Sequence, residues 1–264
     1  MRQWPEQYQI DTIDMIDGSW RNMSFEGYDT AFHVAGIAHQ KETKENIHKH
    51  YEINRDLVVE TAKKAKADQV AQFIYLSTMS VYGMETGVIS RNTVPAPKNN
   101  YGKAKLQAEN EIISFETIDF KIAILRPPMV YGKGCKGNYT RLAKLAVMTP
   151  IFPNVANERS MLYIDNLSEF IKQLIDEKCA GLFFPQNPEY VQTSEMVQLI
   201  AQSHGNNIRL TKLFNPLLKL VKLNEVNKVF GNLVYDKAMS QPMQPLPVEN
   251  LTESIRLTEK LQEK

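Results

Sequence analysis

The chain has 264 residues, 43% of them hydrophobic and 23% charged, and 31 Lys and Arg against 30 Asp and Glu give a formal net charge of +1. That length suits one large domain or two small ones with a sizeable core, and so even a charge provides no field that favours nucleic acid and no basic run that marks a membrane surface. Cys135 and Cys179 lie 44 residues apart in neither metal-ligand nor redox spacing, so no metal site is expected, and two thiols without a framework suit a reducing cytosol.

The first fifteen residues, MRQWPEQYQIDTIDM, are polar where a secretory signal needs an apolar stretch, and no 18-residue apolar run occurs anywhere. Together with the thiols, this predicts a cytoplasmic protein. In chain order, YQIDTIDM (8–15) and YDTAFHVAG (28–36) read as strands. KENIHKHYEINRDLVVETAKKAKA (44–67) reads as a helix, with helical spacing at Ile47, Tyr51, Asn54, Leu57, Val58 and Ala62. VAQFIYLSTM (70–79) is a strand, NNYGKAKLQAENEIISF (99–115) a helix, and FKIAILRPP (120–128) a strand stopped by Pro127 and Pro128. TVPAPK (93–98) and QPMQPLP (241–247) are proline-rich loops. Strands separated by long helices imply right-handed crossovers and an α/β fold, a doubly wound, Rossmann-type parallel sheet with helices on both faces. The last hundred residues have weaker periodicity and read as a smaller lobe. The expected division is 1–134 and 135–264, with part of 159–185 returning to the first domain.

Two stretches carry chemistry. YGKGCKGN (131–138) holds Gly132-x-Gly134-x-x-Gly137 between a strand-like run and the helical NYTRLAKLAVM, and Glu158 follows about twenty residues on, the spacing of a dinucleotide fingerprint. The strand FIYL, in turn, ends in Ser77-Thr78-Met79-Ser80-Val81-Tyr82-Gly83, where ligands collect in an open parallel sheet. Twenty-three residues after Thr78 comes Tyr101-Gly-Lys-Ala-Lys105. Tyr101 and Lys105, four apart, share a helix face, so the ammonium is expected near the phenol, where it would lower the phenol's pKa and ready it for proton transfer. Thr78 would orient the substrate oxygen that gains or loses the proton.

These residues resemble an extended short-chain dehydrogenase/reductase of the NAD-dependent epimerase/dehydratase family, close to the UDP-sugar 4-epimerases. The resemblance rests on HVAGIAH (33–39), YEIN (51–54), FIYLSTMSVYG (73–83), YGKAK (101–105), LRPPMVYGKG (125–134) and RSMLYIDNL (159–167), in family order. It implies that the Gly132–Gly137 stretch belongs to the substrate side. The family's phosphate turn, Gly-x-x-Gly-x-x-Gly, lies at the extreme N-terminus, and the chain opens at what matches the end of the first helix. About one βα unit, roughly thirty residues, is therefore expected to be absent, and NAD binding by this chain is expected to be weak.

The resemblance carries further residues over one by one. Val34, Ala35 and Gly36 match the stretch that passes along the cofactor, a buried strand end in the plainer reading. Asn54 matches the helix Asn whose amide supports the cofactor loop, Asp14 or Asp17 is the acidic candidate for the adenosine end, and Pro127 and Pro128 match the nicotinamide lining. Tyr101 and Lys105 are expected to touch NAD as well as to act in catalysis. Thr78, Met79 and Ser80 are expected along the substrate, and Asn138 and Arg159 on its nucleotide diphosphate, where a guanidinium suits phosphate oxygens; a surface arginine is the plainer reading of Arg159. Family dehydratases carry Asp-Glu where this chain has Met79-Ser80, so a UDP-hexose 4-epimerase type of reaction is expected. Met129 replaces a polar substrate contact, which leaves the sugar open, and the C-terminal Arg-x-x-Asp that grips the uridine phosphates has no clear counterpart. A nucleotide-sugar reductase or dehydrogenase, and an inactive remnant, are the alternatives. A homodimer is expected through helix faces bearing Ile47, Leu57, Leu106 and Ile112.

Overall fold

The computed structural model describes residues 4–38, 43, 46–216, 224–240 and 244–260. Contacts divide the chain into two compact units. The first comprises residues 1–81, 95–126 and 170–183, and the second 82–94, 127–169 and 184–264. His39 of HVAGIAH, residues 44 and 45 of the first expected helix and residues 241–243 of the second proline loop lie outside the described residues.

The first unit is built on a four-stranded, all-parallel sheet in the order β1 (Thr30–His33), β2 (Gln72–Leu76), β4 (Lys121–Leu125) and β8 (Gly181–Phe183). Register is continuous, with Tyr75 opposite His33 on one side and Ile124 on the other. Both faces of β2 and β4 are buried, which explains why QFIYL and KIAIL read as unbroken apolar runs rather than alternating ones. Phe73, Tyr75, Ile122 and Ile124 face a core shared with Val58, Ala62, Ala65, Ala108 and Ile112 of the crossover helices. Gln72 donates to the carbonyls of Leu174 (2.8 Å) and Cys179 (3.0 Å), fixing the end of α5 (Ile164–Asp176) to the sheet.

The β1–β2 crossover is one helix with an irregular middle. α1 (Ile47–Tyr51) and α2 (Leu57–Ala67) flank a π-helical turn at Glu52–Asp56, and Asn54 is buried in that turn. Such a turn inserts a residue and re-aims side chains, a device frequent at functional positions. α3 (Asn100–Ile112) joins β2 to β4, capped by Asn99, whose side chain accepts from Gly102 N–H at 2.8 Å.

Two sequence expectations are corrected here. Residues 8–15 form no strand, although Ile13 and Met15 alternate inward onto the core as a strand would. Pattern alone does not make a strand without a ladder partner, and side chains such as Asp11, which accepts from Tyr28 Oη at 2.5 Å, tie this segment down instead. The expected subunit-facing set also fails as a set. Ile112 is fully buried in the core, and Ile47, Leu57 and Leu106 are half-buried.

The second unit packs its own core around Tyr131, Tyr139, Met161, Tyr163, Val197, Ile200 and Ile255. Three two-stranded parallel ladders pair β5 (Met129–Tyr131) with β7 (Met161–Tyr163), β6 (Ile151–Pro153) with β9 (Arg209–Thr211), and β3 (Gly87–Ile89) with β10 (Leu233–Tyr235). Among the described residues no helix is long and apolar enough to cross a membrane.

Candidate active site

β2 ends at Leu76, and the chain then turns through Ser77 and Thr78 into a 3-10 turn at Met79–Tyr82. Thr78 Oγ1 accepts from Ser80 N–H at 3.1 Å, which holds the threonine hydroxyl in place, and Tyr101 shares a hydrogen bond with Thr78. Tyr101 and Thr78 are each half-buried, Ser80 exposed and Met79 half-buried. Burial holds the Tyr101 phenol above its ordinary pKa, with the Thr78 hydrogen bond pulling the other way.

The first unit brings Lys105 to the same place by a different route from the one expected. Its ammonium is buried, donates to the Leu76 carbonyl at 2.9 Å and lies 4.7 Å over the centroid of the Tyr75 ring. The expectation that Lys105 lowers the Tyr101 phenol is corrected: desolvation dominates the tyrosine, and the lysine is itself depressed to about 8 by burial, with Glu109 opposing the shift. Behind Lys105, one helical turn on, Glu109 is buried and accepts from Arg126 through Nε at 3.1 Å and Nη2 at 2.5 Å, and from the Ser77 hydroxyl. This ion pair ties α3 to the end of β4 directly beneath the strand end that carries Thr78.

The close approach of α3 to that strand end depends on a missing side chain. A Cβ on Gly102 would lie 2.8 Å from the Ser80 carbonyl oxygen and 3.0 Å from Pro97 Cβ. Gly102→Ala should therefore push Tyr101 and Thr78 apart, lowering turnover by about ten- to a hundredfold while costing about 1–3 kcal/mol of stability. Comparing kcat with the urea midpoint separates the two effects, and unchanged turnover would mean that the contact is slack.

Gly36, past the end of β1, is bare for a similar reason: a Cβ would meet Asn54 Oδ1 at 2.8 Å and Lys105 Nζ at 3.4 Å. Asn54 clamps the next residue with both ends of its amide, Oδ1 accepting from Ile37 N–H at 3.0 Å and Nδ2 donating to Ile37 O at 3.1 Å. The plainer reading of residues 34–36 as a buried strand end is corrected, since Val34 is 56% exposed and Gly36 is exposed. Val34, Ala35 and Gly36 line a cavity of about 840 Å³ with Asp14, Asp17 and Arg21. Asp14 accepts from Ile16 N–H at 2.9 Å. Asp17 accepts from the Ser19 backbone and hydroxyl, which lowers its pKa.

His33, one position before Val34, was not singled out in the sequence. It is buried beside Phe73 and Tyr75, hydrogen-bonded to the Ala35 backbone, and its Nε2 has no partner. Burial first, and the Lys105 charge second, depress it to about 3. Between that value and the unfolded 6.5 the unfolded chain binds the extra proton, so stability drains away as pH falls through this window, by up to on the order of 4 kcal/mol. His33→Phe removes the titration, and its melting temperature should fall less than that of the parent between pH 7 and 4. Parallel curves would show His33 to be solvated.

The remaining expected residues lie in the second unit. Pro127 and Pro128 are buried ahead of β5, and Asn138 is the exposed first residue of α4 (Asn138–Met148). Arg159 is not a surface arginine: its Nη1 donates to the carbonyls of Gly231 (2.9 Å) and Asn227 (3.3 Å), and burial lowers its pKa. The Gly132–Gly137 turn joins β5 to α4 within this unit. A Cβ on Gly132 would sit 2.2 Å from Ile164 Cγ2, and Gly134 (φ 79°) and Gly137 (φ 112°) hold conformations that other residues avoid. Glu158 is exposed, and among the described residues no cluster of His, Cys, Asp or Glu could hold a metal ion.

Known proteins share this arrangement of elements. The chain is 31% identical over 180 residues to a UDP-glucose 4-epimerase from Vibrio cholerae, covering 64% of this chain and 55% of that one. It is 27% identical over 222 residues to the N-acetyl-alpha-D-glucosaminyl-diphospho-ditrans,octacis-undecaprenol 4-epimerase of Escherichia coli O157:H7, covering 81% and 66%. It thus spans between about half and two thirds of the length of these relatives. The crystal structure of UDP-glucuronic acid 4-epimerase from Bacillus cereus in complex with NAD superposes with a TM-score of 0.67 at 20% identity, over 88% of this chain and 73% of that one. UDP-N-acetylglucosamine 4-epimerase from the same organism gives 0.67 at 18%, over 88% and 78%, and both likenesses establish the fold. Residues 2–181, including every member of the Thr78–Tyr101–Lys105 site, match the NAD dependent epimerase/dehydratase family, and the chain belongs to that family.

Proposed function

We propose that the chain inverts the C4 centre of a sugar joined to a diphosphate, with NAD as the hydride carrier. The observation that carries this reading is the Tyr101–Thr78 hydroxyl pair at the end of a parallel strand, with the buried Lys105 ammonium behind it. The family and the names of the relatives support it too, and point to uridine diphosphate as the carrier, with a polyprenyl diphosphate in one case. The residues at the end of β1 fit the nicotinamide half of the cofactor. Gly36 exposes bare backbone beside a buried cation, and the Asn54 clamp keeps that backbone in place.

NAD, when bound, supplies a reversible hydride acceptor. Tyr101 Oη takes the C4 hydroxyl proton and later returns it, Thr78 Oγ1 holds the same substrate oxygen in line, and Lys105 keeps a positive charge against that edge. Asn138 and Arg159 are the proposed diphosphate ligands, and Asp14 or Asp17 the proposed adenosine ligand. Met79 and Ser80 carry no acid that could expel a sugar hydroxyl, which favours epimerisation over dehydration.

The test is incubation with UDP-glucose and NAD in deuterated water, followed by NMR. The expected result is a galacto epimer whose C4 proton is undeuterated. Deuterium at C5 would instead indicate dehydration. Stoichiometric NAD consumption with a keto product would indicate a dehydrogenase, and no conversion of any UDP-hexose would overturn the proposal.

A further inference from the structure

Two side chains crowd the bare backbone of Gly36, the Asn54 amide and the Lys105 ammonium. They come from different helices, yet both rest on one residue of β2.

Tyr75 is fully buried in the apolar core that it shares with Phe73, Val58, Ala62 and Ile124. Phenylalanine would fill that space equally well, and a buried hydroxyl costs free energy unless it finds a partner. Tyr75 Oη finds one at 3.3 Å in the backbone carbonyl of Asn54, inside the π-helical turn. The hydroxyl thus braces the main chain of the very residue whose side chain clamps Ile37. The face of the same ring receives the Lys105 ammonium, 4.7 Å from its centroid, while the Leu76 carbonyl accepts from that ammonium at 2.9 Å. Against the burial of the cation stand the Glu109 carboxylate and the negative face of this ring.

We propose that Tyr75 is a positioning residue for the site: its hydroxyl sets the Asn54 clamp on the backbone at Gly36 and Ile37, and its ring sets the Lys105 ammonium. The role rests on the epimerase reading, in which the clamp serves NAD and the ammonium serves the reaction. The two halves separate by substitution, since Tyr75→Phe removes the oxygen and keeps the ring.

The experiment follows the unliganded chain by NMR. In Tyr75→Phe the Ile37 amide, whose hydrogen is held by Asn54 Oδ1, should exchange with solvent about two- to tenfold faster, the weight of one net hydrogen bond. The amides of α3 and β4 should keep their rates. Lys105, followed through its ε-carbon signal, should still titrate at about 8. Replacing Tyr75 by trifluorophenylalanine keeps the shape of the ring but strips its face of negative charge. The Lys105 ammonium should then lose its proton about three- to tenfold more readily, and its titration moves to lower pH. Glu109 on the same helix and His33 on β1 are the other titratable groups coupled to this charge. Burial holds His33 at about 3 and the phenols of Tyr75 and Tyr101 above their ordinary range, so the signal near 8 is the lysine's own.

In turnover, the NAD concentration giving half the maximal rate should rise by the same factor in Tyr75→Phe, with kcat and its pH dependence unchanged. Parental exchange at Ile37, faster exchange spread evenly over the unit, or a Lys105 titration indifferent to the fluorinated ring would each overturn the proposal. So would a loosened clamp with an unchanged NAD requirement, which would make the hydroxyl a purely structural brace. Failure of the parent to convert any UDP-hexose overturns the epimerase reading instead, and the exchange and titration results on the unliganded chain still decide whether Tyr75 sets the two groups.

Discussion

Tyr101→Phe should reduce turnover by a hundredfold or more, on the order of what a general acid–base contributes, while leaving the fold intact. The substitution removes one hydroxyl from a half-buried ring whose polar partner is the Thr78 hydroxyl, itself still supplied by Ser80 N–H. The stability cost is then about 1 kcal/mol, too small to unfold the unit. The pH profile sharpens the test. Burial keeps the phenol protonated above its ordinary range, and burial depresses Lys105 to about 8. In the proposed reaction the competent form pairs a deprotonated tyrosine with a charged lysine. Such a reversed pair gives a rate that rises with pH up to the lower of the two values and then levels. Turnover should climb between pH 7 and about 8, and the residual rate of the phenylalanine variant should lose that limb. A variant turning over at near-parental rate would remove Tyr101 from the role.

Much of the first unit was legible because its signals are local. QFIYL and KIAIL are apolar on both faces, as parallel strands must be, and a helix capped by Asn99 follows the Ser77-Thr78 strand end with the Tyr101–Lys105 spacing already visible. What the sequence misassigned depended on partners far along the chain. Residues 8–15 have the alternation of a strand, but a ladder is a property of two segments, and a sequence pattern reports on one. Lys105 was assigned to the phenol because the two share a helix face; the structure gives its ammonium to a carbonyl 29 residues away. Arg159 was allowed a surface reading because nothing local shows that the carbonyls of residues 227 and 231 reach it. Glu109, by contrast, left a readable trace, since it stands four residues after Lys105 on the same face. Arg126 did so as well, as the cation set just before two prolines at a strand end.

Those two residues support the largest stability effect expected in the molecule. Arg126 and Glu109 are buried, with side chains 8% and 3% exposed, and join through two guanidinium nitrogens. Arg126→Met leaves the Glu109 carboxylate in the interior with the Ser77 hydroxyl as a hydrogen-bond partner and the Lys105 ammonium one helical turn away as the nearby opposite charge, and removing one partner of a buried pair costs about 3–5 kcal/mol. A domain of ordinary stability holds only about 5–15 kcal/mol in total, so a large fall in the urea midpoint is expected. Replacing both partners by apolar residues, Arg126→Met with Glu109→Leu, removes the stranded charge and should recover most of the loss, leaving about 1–3 kcal/mol for the orphaned Ser77 hydroxyl. Because the double variant folds, it also reports on function. Glu109 is the group that raises the Lys105 pKa against burial, so without it the ammonium loses its proton more readily and the rise in turnover shifts to lower pH. If the single variant stayed within about 1 kcal/mol of the parent, the pair would behave as an exposed one. If the double variant kept the parental pH profile, Lys105 would owe its charge to the Leu76 carbonyl and the Tyr75 ring alone.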